Sequence, residues 1–252
     1  MTDLDAPVPT PSAEPPPKPN SLSRIVGALT SPGETFAAIA RRLDWIVPLL
    51  IIVALTIIGG VLLAGQVDFQ ALGREAMEMN PRSAQMSSSQ VEAGAHFSAA
   101  MMRISTYISP ALITIALLIV SGILLVSCRA MGGEGDFRQA FAVTVYAWFP
   151  RVVKGALGLV VLMTRKSLSI FDLQNPLMSN LGFLFDPKSH PLQYALGSAL
   201  DLFVIWTLVL LVIGFAAVSK LPRARTAAIV IIWWVVINGI TLIGPVLQAI
   251  RR

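Results

Sequence analysis

The chain has 252 residues, of which 55% are hydrophobic and only 13% are charged. Soluble domains usually carry about 25% charged residues, so this composition is typical of a membrane protein. Lys and Arg outnumber Asp and Glu by 19 to 14, but the cations are scattered between apolar runs instead of forming one dense patch. Composition and charge therefore argue against nucleic acid as a partner and favour the lipid bilayer.

The N-terminal segment 1–23 is rich in proline and has almost no large apolar side chain. Such a segment cannot bury enough surface to fold, so we predict a disordered tail. Its prolines could instead form a recognition ligand, although such motifs are common by chance in tails of this composition. The tail lacks a charged start followed by an apolar core, so no cleavable signal peptide is expected and the first span would direct insertion.

Residues 24–44 have the apolar periodicity of two short amphipathic helices. Ser31 and Pro32, followed by a glutamate, match the S-x-x-E start signal of the second helix. Arg41 and Arg42 form a dibasic end close to the first long apolar run. We therefore predict an interfacial segment that lies in the headgroup layer, with Arg41 and Arg42 facing anionic lipid.

Five apolar runs are long enough to cross a membrane as helices, for which about 20 residues are needed. They predict an all-α, polytopic membrane domain over residues 45–252. The segment between the first two runs is polar and is predicted to be an extramembrane loop with some helix. The predicted spans are residues 45–64, 104–128, 141–163, 200–218 and 226–250.

The third predicted span is unusual because Pro150, Arg151 and Lys154 fall in its middle. Each cation there costs about 2.5 to 3.5 kcal/mol on insertion scales, so the span must be shielded, tilted or broken. Lys154 and Asp201 lie at similar depths when counted from the ends of their helices, which predicts an ion pair, with Arg151 assisting. The alternative is that Lys154 snorkels to the interface while Asp201 marks the start of the fourth span.

The charged loops predict how the spans are oriented. The short loop 219–225 holds three cations and no acid, so it should be cytoplasmic. Five spans would then leave the N-terminus cytoplasmic and the C-terminus external, although Arg165, Lys166 and the final two arginines would lie outside. Residues 168–185 are too polar for a span but apolar enough to rest on the membrane, which predicts an interfacial loop.

No motif of a catalytic or metal site occurs in the sequence. His96 and His190 each stand alone in polar segments, and the single cysteine, Cys128, lies at the end of an apolar run. Gly132 and Gly133 belong to a glycine-rich stretch that lacks the preceding strand and the G-K-[ST] of a phosphate loop, so a turn is the better interpretation. No enzyme activity, cofactor or metal is therefore expected.

The same turn carries a resemblance to a known family. Residues 132–150 read GGEGDFRQAFAVTVYAWFP and resemble the central signature of the Yip (Ypt/Rab-interacting protein) membrane family. Asp201 and Trp206 in the fourth span also resemble bacterial members, and the similarity covers about residues 22–250. The residues that carry the family pattern are Gly132, Gly133, Phe137, Tyr146, Pro150, Asp201 and Trp206.

This resemblance implies five membrane helices and a cytoplasmic N-terminus, in agreement with the span count. Eukaryotic relatives bind Rab GTPases, but the chain lacks the D-L-Y-G-P type motif of those proteins, so a Rab-type partner is not expected. The short tail and simple loops look like those of the bacterial branch. That similarity implies an inner-membrane protein whose activity is generally unassigned.

Two functional hypotheses remain. The first is a non-enzymatic organiser or adaptor, whose partners are lipid and other membrane proteins or further copies of itself. The second is a transporter of a small solute, an ion or a lipid, because Arg151 and Lys154 lie in a proline-broken span and charges inside membranes often mark pathways. Many transporters contain internal repeats, and no repeat is visible in this sequence.

Overall fold

The computed structural model describes residues 20–41, 44–80, 82–187, 189–244 and 246. Most of the predicted tail, Arg42 and the last residues of the chain lie outside these ranges. The first helix begins at Ser21, so the predicted end of the tail at residue 23 is too late. The reason is a cap, because the Asn20 side chain accepts a hydrogen bond of 2.8 Å from the backbone N–H of Ser23.

Within the described ranges the chain forms helices and no strand, with one isolated bridge between Asn180 and Asp201. Five helical segments are long and apolar enough to cross a membrane, which confirms the predicted all-α polytopic class. The helices are α1 Ser21–Thr30, α2 Pro32–Arg41, α3 Ile46–Ala64, α4 Phe69–Glu78, α5 Ser88–Ala130, α6 Phe137–Ala147, α7 Phe149–Met163, α8 Ile170–Gln174, α9 Pro191–Ala199, α10 Leu202–Ser219 and α11 Arg223–Thr241.

Helix α6 lies at the centre of the bundle, since eight consecutive residues from Ala140 to Ala147 are buried. Helices α5 and α10 pack against it, and α3 and α11 present mostly exposed apolar side chains to the outside. This distribution is expected in a bilayer, where lipid and not water surrounds the outer helices. The bundle therefore has a central helix that is enclosed from Ala140 onward and an apolar exterior.

The two amphipathic helices form as predicted, but the apolar face of α2 does not point into lipid. Phe36 and Ile39 are completely buried in the protein core. Phe36 reaches α10 at Gly214, where an added Cβ atom would lie 3.0 Å from the Phe36 ring. Because Gly214 leaves room for the ring, α2 is attached by protein contacts to α6 and α10.

The predicted polar loop between the first two spans is largely helical, and the second span is much longer than residues 104–128. Helix α5 has 43 residues, which at 1.5 Å per residue gives about 64 Å, twice the thickness of the hydrocarbon core. It begins early because Ser87 and Gln90 form a capping box. Helix α4 packs on this extension, and an added Cβ at Gly73 would lie 2.2 Å from the Ala95 carbonyl oxygen.

The third span is broken, which is one of the three outcomes that its sequence allowed. Helices α6 and α7 are separated at Trp148, and Pro150 stands in the first turn of α7. A proline there lacks the N–H that would continue the hydrogen bonds of α6, so the ladder is interrupted at this point. The fourth and fifth spans are α10 and α11, and α11 starts three residues earlier than predicted, at Arg223.

Candidate functional site

The glycine-rich stretch is a turn, as predicted, and it joins α5 to α6. Gly132 and Gly135 have φ values of 83° and 100°, which favour glycine. Gly133 has no room for a side chain, because an added Cβ would lie 2.8 Å from the Cys128 carbonyl oxygen. The Glu134 N–H donates to the Ser219 carbonyl oxygen at 2.9 Å. We call this end of the bundle, formed by residues 132–135 and 219–222, the signature end.

The residues that follow these glycines start α6 and attach α2 to it. Asp136 and Gln139 form a capping box. The Gln139 amide also donates to the Ala40 carbonyl oxygen at 2.9 Å. Phe137 stacks on Phe141 with ring centroids 6.1 Å apart. The described contacts of residues 132–141 thus stabilise the turn between α5 and α6 and attach α2 to α6.

A second group of polar residues lies at the opposite end of α10, around Asp201. This carboxylate is fully buried, with 0% of its side chain exposed, and it caps α10 through the backbone N–H groups of Phe203 and Val204 at 2.9 and 3.2 Å. Its other oxygen accepts hydrogen bonds from Lys154 Nζ at 2.9 Å and from the Ser179 hydroxyl at 2.5 Å. The structure therefore contains the Lys154–Asp201 pair suggested by helix depth, and snorkelling of Lys154 away from Asp201 is not observed.

The segment predicted as an interfacial loop supplies the remaining polar groups of this site. Asn180 is buried and donates to the Asn175 side-chain oxygen at 2.8 Å. Asn175 in turn donates to the hydroxyls of Tyr194 and Ser198 on α9. We call this set, Asn175, Ser179, Asn180, Tyr194 and Ser198 together with Lys154 and Asp201, the Asp201 cluster.

The five uncharged members of the Asp201 cluster were not predicted from the sequence. Asn175, Ser179 and Asn180 lie in the predicted interfacial loop, and Tyr194 and Ser198 lie on α9. Asn and Ser between apolar residues were a usable signal, since buried polar groups are hydrogen-bonded. The segment is also held tightly, because an added Cβ at Gly158 of α7 would lie 2.7 Å from the Pro176 ring. The loop is therefore a folded cap over α7 and α10.

Arg151 does not join the Asp201 cluster through a hydrogen bond or a salt bridge. Its Nε atom is buried and has no partner among the described residues. The guanidinium carbon lies 4.6 Å from the centre of the Trp148 ring, a cation–π contact. The predicted assistance of Arg151 to the pair is thus not a direct contact.

Arg151 faces a cavity of about 470 Å³ between α3, α5 and α7. Three hydroxyls also line it, but each already donates to a carbonyl oxygen of its own helix: Thr56 to Ile52, Thr106 to Met102 and Ser109 to Thr106. Most other lining residues are apolar or glycine. We call this cavity the Arg151 groove.

The other predicted residues are dispersed. Tyr146 is buried in α6, and Trp206 packs against the core from α10. Arg41 is exposed at the signature end beside Lys220, while Arg42 lies outside the described residues. Arg24, which no sequence pattern indicated, is only 7% exposed and lies 3.4 Å from the Asp44 carboxylate.

These features define an α-helical polytopic membrane protein with a broken third span, a glycine-rich corner and an internal ion pair. The Yip1 domain model matches residues 26–244, so the chain belongs to the Yip1 domain family. No curated protein and no solved structure matches the chain.

Proposed function

We propose that this protein is a non-enzymatic organiser or adaptor of other membrane proteins. The observation that carries this proposal is the state of its polar centre. Both carboxylate oxygens of Asp201 accept hydrogen bonds from within the protein. The donors are Lys154, Ser179 and two backbone N–H groups. A carboxylate saturated in this way stabilises the fold and is not free to act as a general base. What remains for a partner is the outer surface of the bundle.

The N-terminal helices supply a second, lipid-directed part of the proposal. Leu22 and Val26 of α1 are exposed apolar residues. Arg41 at the end of α2 lines a small pocket with Lys220, and Arg223 lies beside Gly33 at the start of α2. A surface that combines exposed apolar side chains with several cations suits an anionic membrane surface. We propose that residues 24–44 rest at the cytoplasmic interface, with α2 held by the bundle.

The adaptor role is tested by crosslinking in native membranes followed by affinity purification of the tagged full-length chain. We expect a small set of membrane proteins to be enriched relative to an equally expressed, unrelated five-span protein. Quantitative mass spectrometry provides the measurement. Recovery of the same background proteins with both baits would contradict the adaptor role.

A transporter is the second candidate, and the Arg151 groove favours it. A cation inside a cavity at membrane depth is typical of transport sites for anions. However, Lys154 is neutralised by Asp201 within the protein, so only one of the two cations of α7 is available. Arg151-dependent anion uptake into proteoliposomes would favour this candidate over the adaptor.

We further propose that the chain belongs to the bacterial branch of the family and lies in the inner membrane with its N-terminus cytoplasmic. The distribution of cations supports this orientation, since Arg129, Lys220, Arg223 and Arg225 all lie at or next to the signature end. Cytoplasmic loops carry such an excess of Lys and Arg.

The orientation can be measured by reporter fusions and by cysteine labelling. A reporter fused after residue 252 should show external activity, and Glu34→Cys, which is exposed on α2, should label only from the cytoplasmic side. A reporter at the loop between α10 and α11 serves as the internal control. Cytoplasmic activity at residue 252 would mean that one of the five helices does not cross.

A further inference from the structure

Helix α7, the second half of the third span, contains one more positive charge than the protein pairs with a carboxylate. Lys154 and Arg151 are the two cations of α7, and Asp201 is the one carboxylate that contacts either of them among the described residues. Asp201 already accepts four hydrogen bonds. Asp201 therefore acts on Arg151 only through space and makes no hydrogen bond to it. A carboxylate in direct contact with the guanidinium would have to come from outside the chain.

Arg151 lies near the middle of the span. It stands 14 residues after Phe137 and 12 residues before Met163, which correspond to about 21 and 18 Å along the helix axes. The phosphate layer lies about 15 Å from the middle of a hydrocarbon core 30 Å thick, farther than an extended arginine side chain reaches. A lipid phosphate in its normal position therefore does not reach Arg151.

A second copy of this chain does not supply the missing charge either. Among the described residues, the acids other than Asp201 lie outside the five spans or outside their central part, in α2, α4, the loops and the extension of α5. An anion at the depth of Arg151 then comes from a different molecule, which under the adaptor function is a protein that itself crosses the membrane. A transmembrane helix with one Asp or Glu near its middle has this chemistry.

The Arg151 groove also has the form that such a helix requires. Small residues line the groove on two of its helices. Thr56 and Gly60 are four residues apart on α3, and Gly155 and Ala156 are adjacent on α7. A Cβ added at Gly155 would meet no atom within 4 Å, so the groove is open at that point. Small residues let helix backbones approach closely in membranes, where helix packing relies on such contacts.

From the unpaired cation, its depth and the open groove, we infer that the Arg151 groove binds a transmembrane helix of a partner protein through a mid-span carboxylate. The guanidinium and the carboxylate form a charge-assisted pair, which the apolar walls of the groove shield from competing anions. The inference rests on the proposed adaptor function and specifies the chemistry of the partner.

The probe is a single-span Leu/Ala host helix with one central Glu and one cysteine a turn away, co-expressed with the full-length chain carrying Gly155→Cys. Disulfide crosslinking should be about tenfold stronger for the Glu helix than for the same helix with Gln, because polar helix pairs in membranes contribute about 1–2 kcal/mol. Arg151→Gln should remove this difference. Arg151→Glu should reverse it, giving preference to a host helix with a central Lys.

The matched control is Gly239→Cys on α11, a second helical glycine whose added Cβ would meet no atom within 4 Å but which lies outside the groove. Its crosslinking should not depend on the probe charge, and the parent chain with the buried Cys128 alone supplies the blank. Thermal melting in detergent checks that each Arg151 variant is folded. The charge-swapped pair, Arg151→Glu with the Lys host helix, is expected to gain crosslinking. An unfolded variant would not produce such a gain, so misfolding cannot imitate the expected result.

Equal crosslinking of the Glu and Gln helices at Gly155→Cys would overturn the inference. Retention of anionic lipid that depends on Arg151, measured by native mass spectrometry, together with charge-independent helix crosslinking would assign the groove to lipid instead. If native partners crosslink through Gly239→Cys and not through Gly155→Cys, the groove is wrong while the adaptor function stands. If the Glu helix binds but no native protein copurifies, the groove chemistry stands and the adaptor function fails.

Discussion

Replacement of Asp201 by alanine is expected to destabilise the protein by about 3–5 kcal/mol, the usual effect of removing one partner from a buried ion pair. Lys154 would lose its counter-ion, Ser179 its acceptor and α10 its N-terminal cap. Asp201→Asn should cost less, because an asparagine still caps a helix and caps contribute about 1 kcal/mol. Reversible unfolding in mixed detergent and the yield of folded protein in the membrane provide the two measurements.

The charge itself is isolated by a double-mutant cycle with Lys154→Met and Asp201→Asn. We expect the double variant to be more stable than the sum of the single losses predicts, because a neutral asparagine at position 201 no longer requires the cation. The charge reversal Asp201→Lys with Lys154→Asp should recover only part of the stability, since an aspartate at position 154 cannot cap α10. Additive single effects would show that the two side chains do not interact.

Gly214→Ala is expected to destabilise the bundle by about 1–3 kcal/mol, the range for overpacked cores. The added methyl group would lie 2.3 Å from Val143 Cγ1 of α6 and 3.0 Å from the Phe36 ring of α2. Three helices meet at this glycine, so none can move without disturbing the other two. Loss of folded protein and increased proteolysis of the N-terminal helices should accompany the change.

Two variants show whether the cause is steric. Gly239→Ala lies in an open part of α11, where no atom lies within 4 Å of the added methyl, and should be neutral or stabilising by up to about 1 kcal/mol. Adding Val143→Ala to Gly214→Ala removes the clashing Cγ1 atom and should restore part of the loss. If Gly239→Ala and Gly214→Ala behave alike, close packing of α2, α6 and α10 is not important for stability.

Much of the architecture follows from the order of the residues alone. Apolar runs of sufficient length predict spans wherever the chain lies, because the bilayer requires each backbone polar group to be satisfied within its own helix. Pro150 predicts a break by its missing N–H, and the glycines of the signature predict a turn by their conformational freedom. These are local effects, so α3, α10 and the turn at Gly132 could be located without a structure.

Other features depend on which segments meet in space, and local patterns do not contain that information. The apolar face of α2 has the same periodicity whether it enters lipid or protein, and only the space left by Gly214 assigns Phe36 to the core. The extension of α5 is polar enough to resemble a loop, but it is stabilised by α4 packed along it.

The charged residues illustrate both sides. The depth of a residue in a membrane helix can be calculated from its distance along the chain to the end of the helix, at about 1.5 Å per residue. This calculation alone placed Lys154 and Asp201 at the same depth, where the structure has their ion pair. Depth does not determine the direction of a side chain around its helix, so Arg151 could not be separated from the pair in advance. Tertiary packing decided the two directions, because the start of α10 lies on the side of α7 that Lys154 faces, while α3 and α5 border the groove that Arg151 faces.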